Sequence, residues 1–190
     1  MATTEPIRDQ SQLHALADHF LKKGEFRNYT LVVLGTCTAL RISDLLGICW
    51  SEIYDAERDR FKVHVKITEQ KTGKIKLIAL NEQAIDALWL YYPHSHSDFV
   101  FVNNRKNAQP ISRVQAWRII QDAAAELGLD GNLGCHSLRK TWGYHAWTSG
   151  NVSPIIITEI YNHSSYEVTK RYLGVAQDDL DKAYLEMRLF

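Results

Sequence analysis

Apolar side chains recur at helical spacing along most of this chain. One face of a helix predicted over 10–23 is marked by Leu13, Leu16, Ala17 and Phe20. Gly24 ends that helix, and a more apolar helix follows over 26–39, which we expect at the centre of the core. The same spacing predicts helices over 82–91, 112–127, 154–161 and 166–173, and one that runs from residue 136 or 137 to about 150.

Between Trp50 and Leu80 the pattern changes to alternation. FKVHVKIT (61–68) alternates apolar and polar residues, as a half-exposed strand does. KIKLIAL (74–80) alternates similarly after the turn EQKTG, which indicates a β-hairpin, and Trp50–Tyr54 is predicted as a third strand. The predicted fold class is α+β, mainly α with a small antiparallel three-stranded sheet, in a single domain over 1–190.

Composition is typical of a soluble globular protein. The 190 residues are 45% hydrophobic and 23% charged, enough for one sizeable core. No apolar run approaches the length of a membrane span, and no secretory signal is visible at the N-terminus. The three cysteines lack zinc-finger or disulfide spacing, so we expect a reducing cytoplasm and no metal centre.

Net charge gives no general attraction to nucleic acid, since 22 basic residues balance 22 acidic ones. The predicted hairpin is locally basic, with one acid, Glu69, against the lysines at 62, 66, 71, 74 and 76. This is either a surface for an acidic partner or an edge hairpin kept soluble by lysines. Taken without context, the pattern favours the second interpretation.

Several polar side chains stand where simple solvation does not explain them. Arg41 lies between an apolar helix and a short helix, and it could be catalytic or simply paired with Asp44 three residues later. The segment 133–174 adds two imidazoles, a guanidinium and a phenol, namely His136, Arg139, His163 and Tyr172. His136 and Arg139 share the N-terminal face of one helix, where backbone N–H groups favour a phosphate.

With Arg41 and Lys71, these side chains form a set suited to phosphate chemistry. Two arginines can bind non-bridging oxygens and balance charge at a pentavalent phosphorus. Nearby cations favour the phenolate of a tyrosine, and a lysine on the hairpin could protonate a leaving alkoxide. No P-loop, dinucleotide-binding fingerprint or GxSxG nucleophile elbow is present.

At these positions the chain closely resembles the catalytic domain of the tyrosine recombinases, the phage integrase family. Four segments carry the resemblance, in the family's order and spacing: TALRISDLL around Arg41, QKTGK around Lys71, HSLRKTWG around His136 and Arg139, and NHSSYEVTKRYLG around His163 and Tyr172. Each motif alone is weak, whereas four in register are specific. The resemblance extends from about residue 8 to 175.

The resemblance implies the family's breaking-and-rejoining fold and a covalent mechanism. Tyr172 would attack the scissile DNA phosphate, forming a 3′-phosphotyrosine and releasing a 5′-hydroxyl, while Arg41 and Arg139 would clamp the phosphate. Since the covalent bond conserves the phosphodiester energy, no ATP, other cofactor or metal is implied. A 5′-hydroxyl from a partner strand would reverse the step.

The remaining matched residues would support this reaction. The resemblance implies that Lys71 is the general acid toward the 5′-oxygen and that His136 assists proton transfer. His163 would bond to a non-bridging oxygen, and Asp44 would position the site rather than react.

The resemblance also implies partners: double-stranded DNA with an inverted-repeat recombination site, and a homotetramer on that DNA formed from free monomers. Accessory DNA-bending proteins are further candidates, and a role in a mobile element is expected. A C-terminal helix over about 176–190 is indicated by Leu180, Ala183, Tyr184 and Met187. This helix either packs on its own core or docks on a neighbouring protomer.

Three features depart from the family. Tyr161 and Asn162 stand where members often have Leu-Gly, so a different local turn is expected. No counterpart of the N-terminal core-binding domain is expected in this chain, which is either a catalytic fragment or resembles the short recombinases. Neutral charge is the third departure.

A type IB topoisomerase and a non-cleaving DNA-binding regulator on the same fold remain alternatives, although none of the six residues is lost.

Overall fold

The computed structural model describes residues 4–103, 108–175, 181 and 184–187. Helices dominate these residues, and the strands are short, which confirms the mainly α class. In chain order the elements are α1 (Gln10–Lys22), α2 (Phe26–Cys37), α3 (Ile42–Leu46), α4 (Trp50–Ile53), β1 (Tyr54–Asp55), β2 (Arg60–Phe61), β3 (His64–Thr68), β4 (Ile75–Ala79), α5 (Glu82–Tyr91), a 3-10 turn (Tyr92–His94), α6 (Arg113–Glu126), α7 (Cys135–Thr148), α8 (Pro154–Tyr161) and α9 (Tyr166–Leu173).

The predicted three-stranded sheet is wrong in its strand pairing. Among the described residues, β1 pairs with β2 and β3 pairs with β4, both antiparallel, in two separate sheets. The segment predicted as a third strand begins with helix α4, because the Glu52 carboxylate accepts a hydrogen bond from the Cys49 N–H and caps the helical turn. The predicted strand 61–68 also bends at Val63, whose side chain is exposed.

The β3–β4 hairpin has a defined inner face. β3 buries Ile67, as predicted, and β4 buries Ile78 and directs Lys76 inward as well. Ile75 and Leu77 instead face solvent, at 72% and 61% exposure. The interpretation of all five hairpin lysines as one basic surface is therefore wrong for Lys76.

Helix α2 lies at the centre of the molecule and packs against α1, α5 and α7. The predicted role of this helix is confirmed, since Leu31 and Leu34 are almost fully buried. A smaller cluster, with Ala39, Ile157 and Leu173 among its buried members, holds α8 and α9 together beside the end of α2. In the part of the chain that the structure describes, no helix is long and apolar enough to cross a membrane.

Candidate active site

Arg41 lies at the N-cap of α3, just after Ala39 turns the chain with a left-handed φ of 53°. Its side chain is 19% exposed, and Nη1 lies 2.7 Å from Oε1 of Glu69. A buried carboxylate that holds one edge of a guanidinium fixes its orientation. The other N–H groups of Arg41 are then placed to bind an anion at the surface.

Asp44 links α3 to the loop of the hairpin. Its Oδ1 accepts a hydrogen bond from the backbone N–H of Gln70 at 2.9 Å. Its Oδ2 lies 4.0 Å from Nη1 of Arg41 and has no hydrogen-bond partner among the described residues. Because the Asp44 side chain is fully buried, these contacts suit the supporting role predicted for it, not a reaction with substrate.

Glu69 is a second buried carboxylate at the site and was not singled out by sequence. Its oxygens bind Arg41 and the Thr72 hydroxyl, each at 2.7 Å. Burial raises the pKa of Glu69, but the Thr72 hydrogen bond and the charge of Arg41 outweigh burial and bring the pKa below its ordinary value. Glu69 is therefore ionised at neutral pH and compensates part of the Arg41 charge.

Lys71 lies in the loop between β3 and β4. Gly73, with φ of 66°, lets this loop close through a hydrogen bond from its N–H to the Glu69 carbonyl at 2.8 Å. Lys71 is exposed and lines a cavity of about 650 Å³ together with Arg41 and His136. The structure thus brings these three predicted residues to one opening.

Arg139 projects from the first half of α7 and is 3% exposed. Its guanidinium donates to the Ala39 carbonyl at 2.5 Å and to the Tyr161 carbonyl at 3.2 Å, and lies over the Tyr161 ring. These contacts join α7 to the Arg41 segment on one side and to α8 on the other. No carboxylate forms an ion pair with Arg139 among the described residues.

His136 lies one turn before Arg139 on α7 and is exposed overall. Partial desolvation of its ring, followed by the charges of Arg139, Lys140 and other nearby cations, lowers the pKa of His136. The imidazole is therefore neutral at pH 7 and can accept a proton.

His163 follows α8 after Asn162, which caps that helix in the left-handed conformation with φ of 53°. Asn tolerates this conformation, so the turn forms without the glycine common in the family. The Nδ1 atom of His163 lies 3.0 Å from the Thr169 hydroxyl, and its ring centroid lies 5.2 Å from that of Tyr172. Burial and the charges of Arg139 and Arg41 lower the pKa of His163.

Tyr172 lies near the end of α9, with its ring edge-on to Tyr161 and 5.1 Å below the Lys140 ammonium. Burial raises the pKa of the Tyr172 phenol, whereas Arg139 and Arg41 act in the opposite direction. The net pKa stays above its ordinary value, so cations alone do not ionise the free site. A proton acceptor is needed for Tyr172 to act as a nucleophile.

The six predicted catalytic residues therefore belong to two adjoining groups. Arg41, Lys71 and His136 line the cavity, while Arg139, His163 and Tyr172 cluster where α7 meets the ends of α8 and α9. The charges of Arg41 and Arg139 affect the pKa values of groups on both sides, which places the two groups within electrostatic reach of each other.

Lys76 is the other site residue that sequence reasoning missed. Its Nζ donates to the Ile160 carbonyl at 2.7 Å, and burial, followed by the charge of Arg139, lowers its pKa to about 8. Alternation gave only an ambiguous signal, since Lys76 shares its parity with Ile78 and Leu80 while Ile75 and Leu77 occupy the other parity. Glu69 lies two residues after Ile67 and therefore on the same face of the alternating pattern, and both side chains are buried.

Comparison with known proteins identifies relatives over most of the chain. The model of the phage integrase family matches residues 8–178. "Probable integrase/recombinase YoeC" of Bacillus subtilis (strain 168) is 34% identical over 185 residues, which cover 97% of each chain. "Tyrosine recombinase XerD" of Mycobacterium leprae (strain TN) is 27% identical over 170 residues, covering 83% of this chain and 51% of XerD. The chain thus spans about half the length of that relative.

Solved structures share the fold at lower identity. XerA recombinase superposes with a TM-score of 0.77 at 20% identity, covering 98% of this chain and 67% of XerA. XerH site-specific recombinase, in its post-cleavage complex with palindromic difH substrate, gives a TM-score of 0.73 at 17% identity, covering 97% of this chain and 53% of XerH. These structures confirm the predicted catalytic-domain fold, and with the family match they establish that the chain belongs to the phage integrase family of tyrosine recombinases.

Proposed function

We propose that this chain is a site-specific DNA recombinase that cuts and rejoins double-stranded DNA through a 3′-phosphotyrosine on Tyr172. The observation that carries the proposal is the meeting of Tyr172 and His163 with Arg139, whose charge acts on both side chains. A phosphate brought to this point would meet guanidinium groups from two different elements, Arg41 and Arg139. The relatives named as integrases and recombinases support the same activity.

The first step is an in-line displacement at phosphorus. The Tyr172 oxygen forms a bond to the scissile phosphorus as the bond to the 5′-oxygen breaks. Arg41 and Arg139 balance the charge that develops on the non-bridging oxygens, and His163 bonds to one of these oxygens. Arg41 is already oriented by Glu69, and Arg139 by two carbonyls, so little reorganisation is needed.

Two proton transfers accompany this displacement. Neutral His136 accepts the phenol proton, a role for which its lowered pKa leaves it unprotonated at pH 7. Lys71 donates a proton to the leaving 5′-oxygen from its place on the hairpin loop. In the reverse step a 5′-hydroxyl attacks the phosphotyrosine, and each proton returns. The resulting strand exchange requires no net change in phosphodiester energy.

The proposed substrate is DNA with inverted repeats, bound by a homotetramer that assembles from free monomers. In the proposed assembly the C-terminal segment docks on a neighbouring protomer. Leu180 and Ala183 lie outside the described residues, but Tyr184, Leu185 and Met187 are 83%, 83% and 67% exposed. Accessory DNA-bending proteins and a cytoplasmic location stay predictions.

A nicked suicide substrate tests the nucleophile. When cleavage releases a short strand that diffuses away, the covalent protein–DNA adduct accumulates and is counted on a denaturing gel. We expect Tyr172→Phe to form no adduct, while Tyr166→Phe, on the exposed side of the same helix, forms it at the wild-type rate. An adduct with Tyr172→Phe would refute the assignment.

The same assay separates the alternative functions. A recombinase forms the adduct at one defined site flanked by inverted repeats, whereas a type IB topoisomerase would form it on any duplex. A non-cleaving regulator would bind DNA without forming an adduct even in the wild-type protein.

A further inference from the structure

The carbonyls at the end of α8 are satisfied in an unusual way. The last carbonyls of a helix have no partner within it and need partners from elsewhere. Those of Thr158 and Glu159 accept from the backbone N–H groups that follow α8. The next two bind side chains from other elements: Ile160 accepts from Lys76 of β4 at 2.7 Å, and Tyr161 accepts from Arg139 of α7 at 3.2 Å.

The Lys76 bond joins two parts of the molecule that are far apart in sequence, since 84 residues separate Lys76 from Ile160. At its other edge the hairpin is held to α3, through Glu69 on Arg41 and the Gln70 N–H on Asp44. The hairpin is therefore fixed at both sides of the site, and Lys71 lies in its loop. His163, on the α8 side, is only three residues beyond Ile160.

We propose that Lys76 is a positioning residue of the recombinase site, whose ammonium fastens the hairpin to the end of α8. This inference rests on the proposed function. By this contact Lys76 places Lys71 and His163 relative to each other, so the loss of the contact displaces His163 as well as the general acid. Lys76 itself need not touch the DNA.

The chemistry of the position supports this role. Lys76 lies close enough to Arg139 and Arg41 for their charges to lower its pKa, while Glu69 and Asp44 raise it. An ammonium in such a place is costly to bury, and an apolar side chain of similar size would fill the space without that cost. The donor to the Ile160 carbonyl is what an apolar side chain could not supply.

Lys76→Met removes the donor and keeps the volume, whereas Lys76→Arg keeps both a charge and donors. The exposed Lys22, at the end of α1 and outside the basic hairpin, provides the matched control Lys22→Met. Adduct formation would be timed on two suicide substrates, one with the normal 5′-oxygen and one with sulfur bridging at that position. A thiolate leaves without a general acid, because thiols ionise at a pKa of about 8.5.

We expect Lys76→Met to slow adduct formation by about 10- to 100-fold on the oxygen substrate, since small displacements at a reacting centre have effects of this size. On the sulfur substrate it should stay slower than the wild type, because sulfur bypasses Lys71 but not a displaced His163. The rate of adduct formation by Lys76→Arg should lie within several-fold of the wild-type rate, and Lys22→Met should behave as wild type. A wild-type rate for Lys76→Met would overturn the proposal. So would full rescue by the sulfur substrate, because the effect of Lys76 would then lie in proton donation alone and not in the position of His163.

Lys71→Met separates this inference from the proposed mechanism. Its defect should be rescued by the sulfur substrate, and a lack of rescue would refute the acid role of Lys71 while leaving the Lys76 result intact.

Hydrogen exchange tests the contact without activity. In Lys76→Met the amides of Asn162 and His163 should exchange faster, with α1 unchanged, and unchanged exchange at both amides would also overturn the proposal. This measurement remains decisive if the wild-type chain forms no adduct, and for a variant with altered stability the exchange in α1 reports the global change.

Discussion

The two arginines of the site differ in what balances their charge. Arg41 has a carboxylate partner in Glu69 at 2.7 Å, with Asp44 at 4.0 Å. Arg139 is held by carbonyl groups and an aromatic face, which orient the guanidinium without neutralising it. A phosphate that reaches the site therefore gains more charge compensation from Arg139, while Arg41 contributes a fixed direction.

Glu69→Gln tests the contribution of the ion pair between Glu69 and Arg41. Removing one partner of a buried ion pair should lower the free energy of unfolding by about 3 kcal/mol at pH 7. The folded-state pKa of Glu69 lies below its unfolded value, so the ionised carboxylate contributes stability above an unfolded pKa of about 4.3 and loses that contribution as the pH falls through the folded pKa. Urea unfolding at pH 7, 5 and 3.5 measures the difference.

The difference in the free energy of unfolding between the wild type and Glu69→Gln should therefore be smaller at pH 3.5 than at pH 5. The exposed Glu57 serves as the control, and Glu57→Gln should leave stability unchanged at each pH. A constant difference across the whole range would contradict an ionised Glu69 as the source of the stabilisation.

At the scale of elements, sequence predicted the hairpin but not which way β4 faces. In KIKLIAL both parities carry apolar residues: Ile75 and Leu77 on one, Ile78 and Leu80 on the other. A one-residue change of register exchanges the two faces, and the pairing of Lys66 with Leu77 settles the choice only in the folded hairpin. For this reason the sequence alone did not distinguish Lys76 from the hairpin lysines that face solvent.

The residues proposed as catalytic were easier to identify in the sequence than the residues that support them. Arg41, Arg139 and Tyr172 lie in short motifs whose residue types carry the chemistry, so a single sequence was enough to propose them. The contacts of Glu69 and Lys76 join residues 28 and 84 positions apart. Periodicity describes one element at a time and contains no information on such contacts.

Helices α7, α8 and α9 meet at Gly143. A Cβ atom at Gly143 would overlap the Tyr161 hydroxyl and lie 2.6 Å from Cδ2 of Leu173. The absence of a side chain thus lets α7 approach α8, which His163 follows, and α9, which carries Tyr172. The Tyr161 hydroxyl uses this proximity to donate to the Arg139 carbonyl at 2.6 Å.

Gly143→Ala should therefore impair both stability and cleavage. Overpacking costs about 1–3 kcal/mol, which exceeds the roughly 1 kcal/mol gained from the better helix propensity of alanine. We expect a lower melting temperature and adduct formation slowed by about 10-fold or more, because α8 and α9 must shift. Thr148→Ala, exposed at the end of the same helix, is the control. A Gly143→Ala protein as stable and as active as wild type would show that the close approach is unimportant.

At the scale of the whole molecule, a neutral protein can still attract DNA locally. The chain has 22 positive and 22 negative residues, yet the charges of Arg41, Arg113, Arg139 and Lys140 all lower the pKa of His136. Cations gathered around His136 produce a local positive potential that the net charge conceals. The sequence gives the total charge of the chain but does not show that these four cations lie together, because they come from three separate segments.

Assembly on DNA is expected to depend on the C-terminal segment. Tyr184, Leu185 and Met187 present three large apolar side chains to solvent, and burying each against another protomer would contribute about 1.5–3 kcal/mol. A chain ending at residue 175 should remain a monomer without DNA, like the full chain, but should fail to form the tetramer on cognate DNA. Light scattering after size-exclusion chromatography measures the mass of each complex.

A triple substitution of these side chains by serine should reproduce the effect of the deletion, whereas Ile155→Ser, at an equally exposed position on α8, should not. The segment follows Tyr172 closely in sequence, so docking in trans would connect the nucleophile of one protomer to the surface of the next. If the shortened chain formed the same tetramer as the full chain, the segment would instead pack on its own core, and tetramer formation would have to depend on other surfaces.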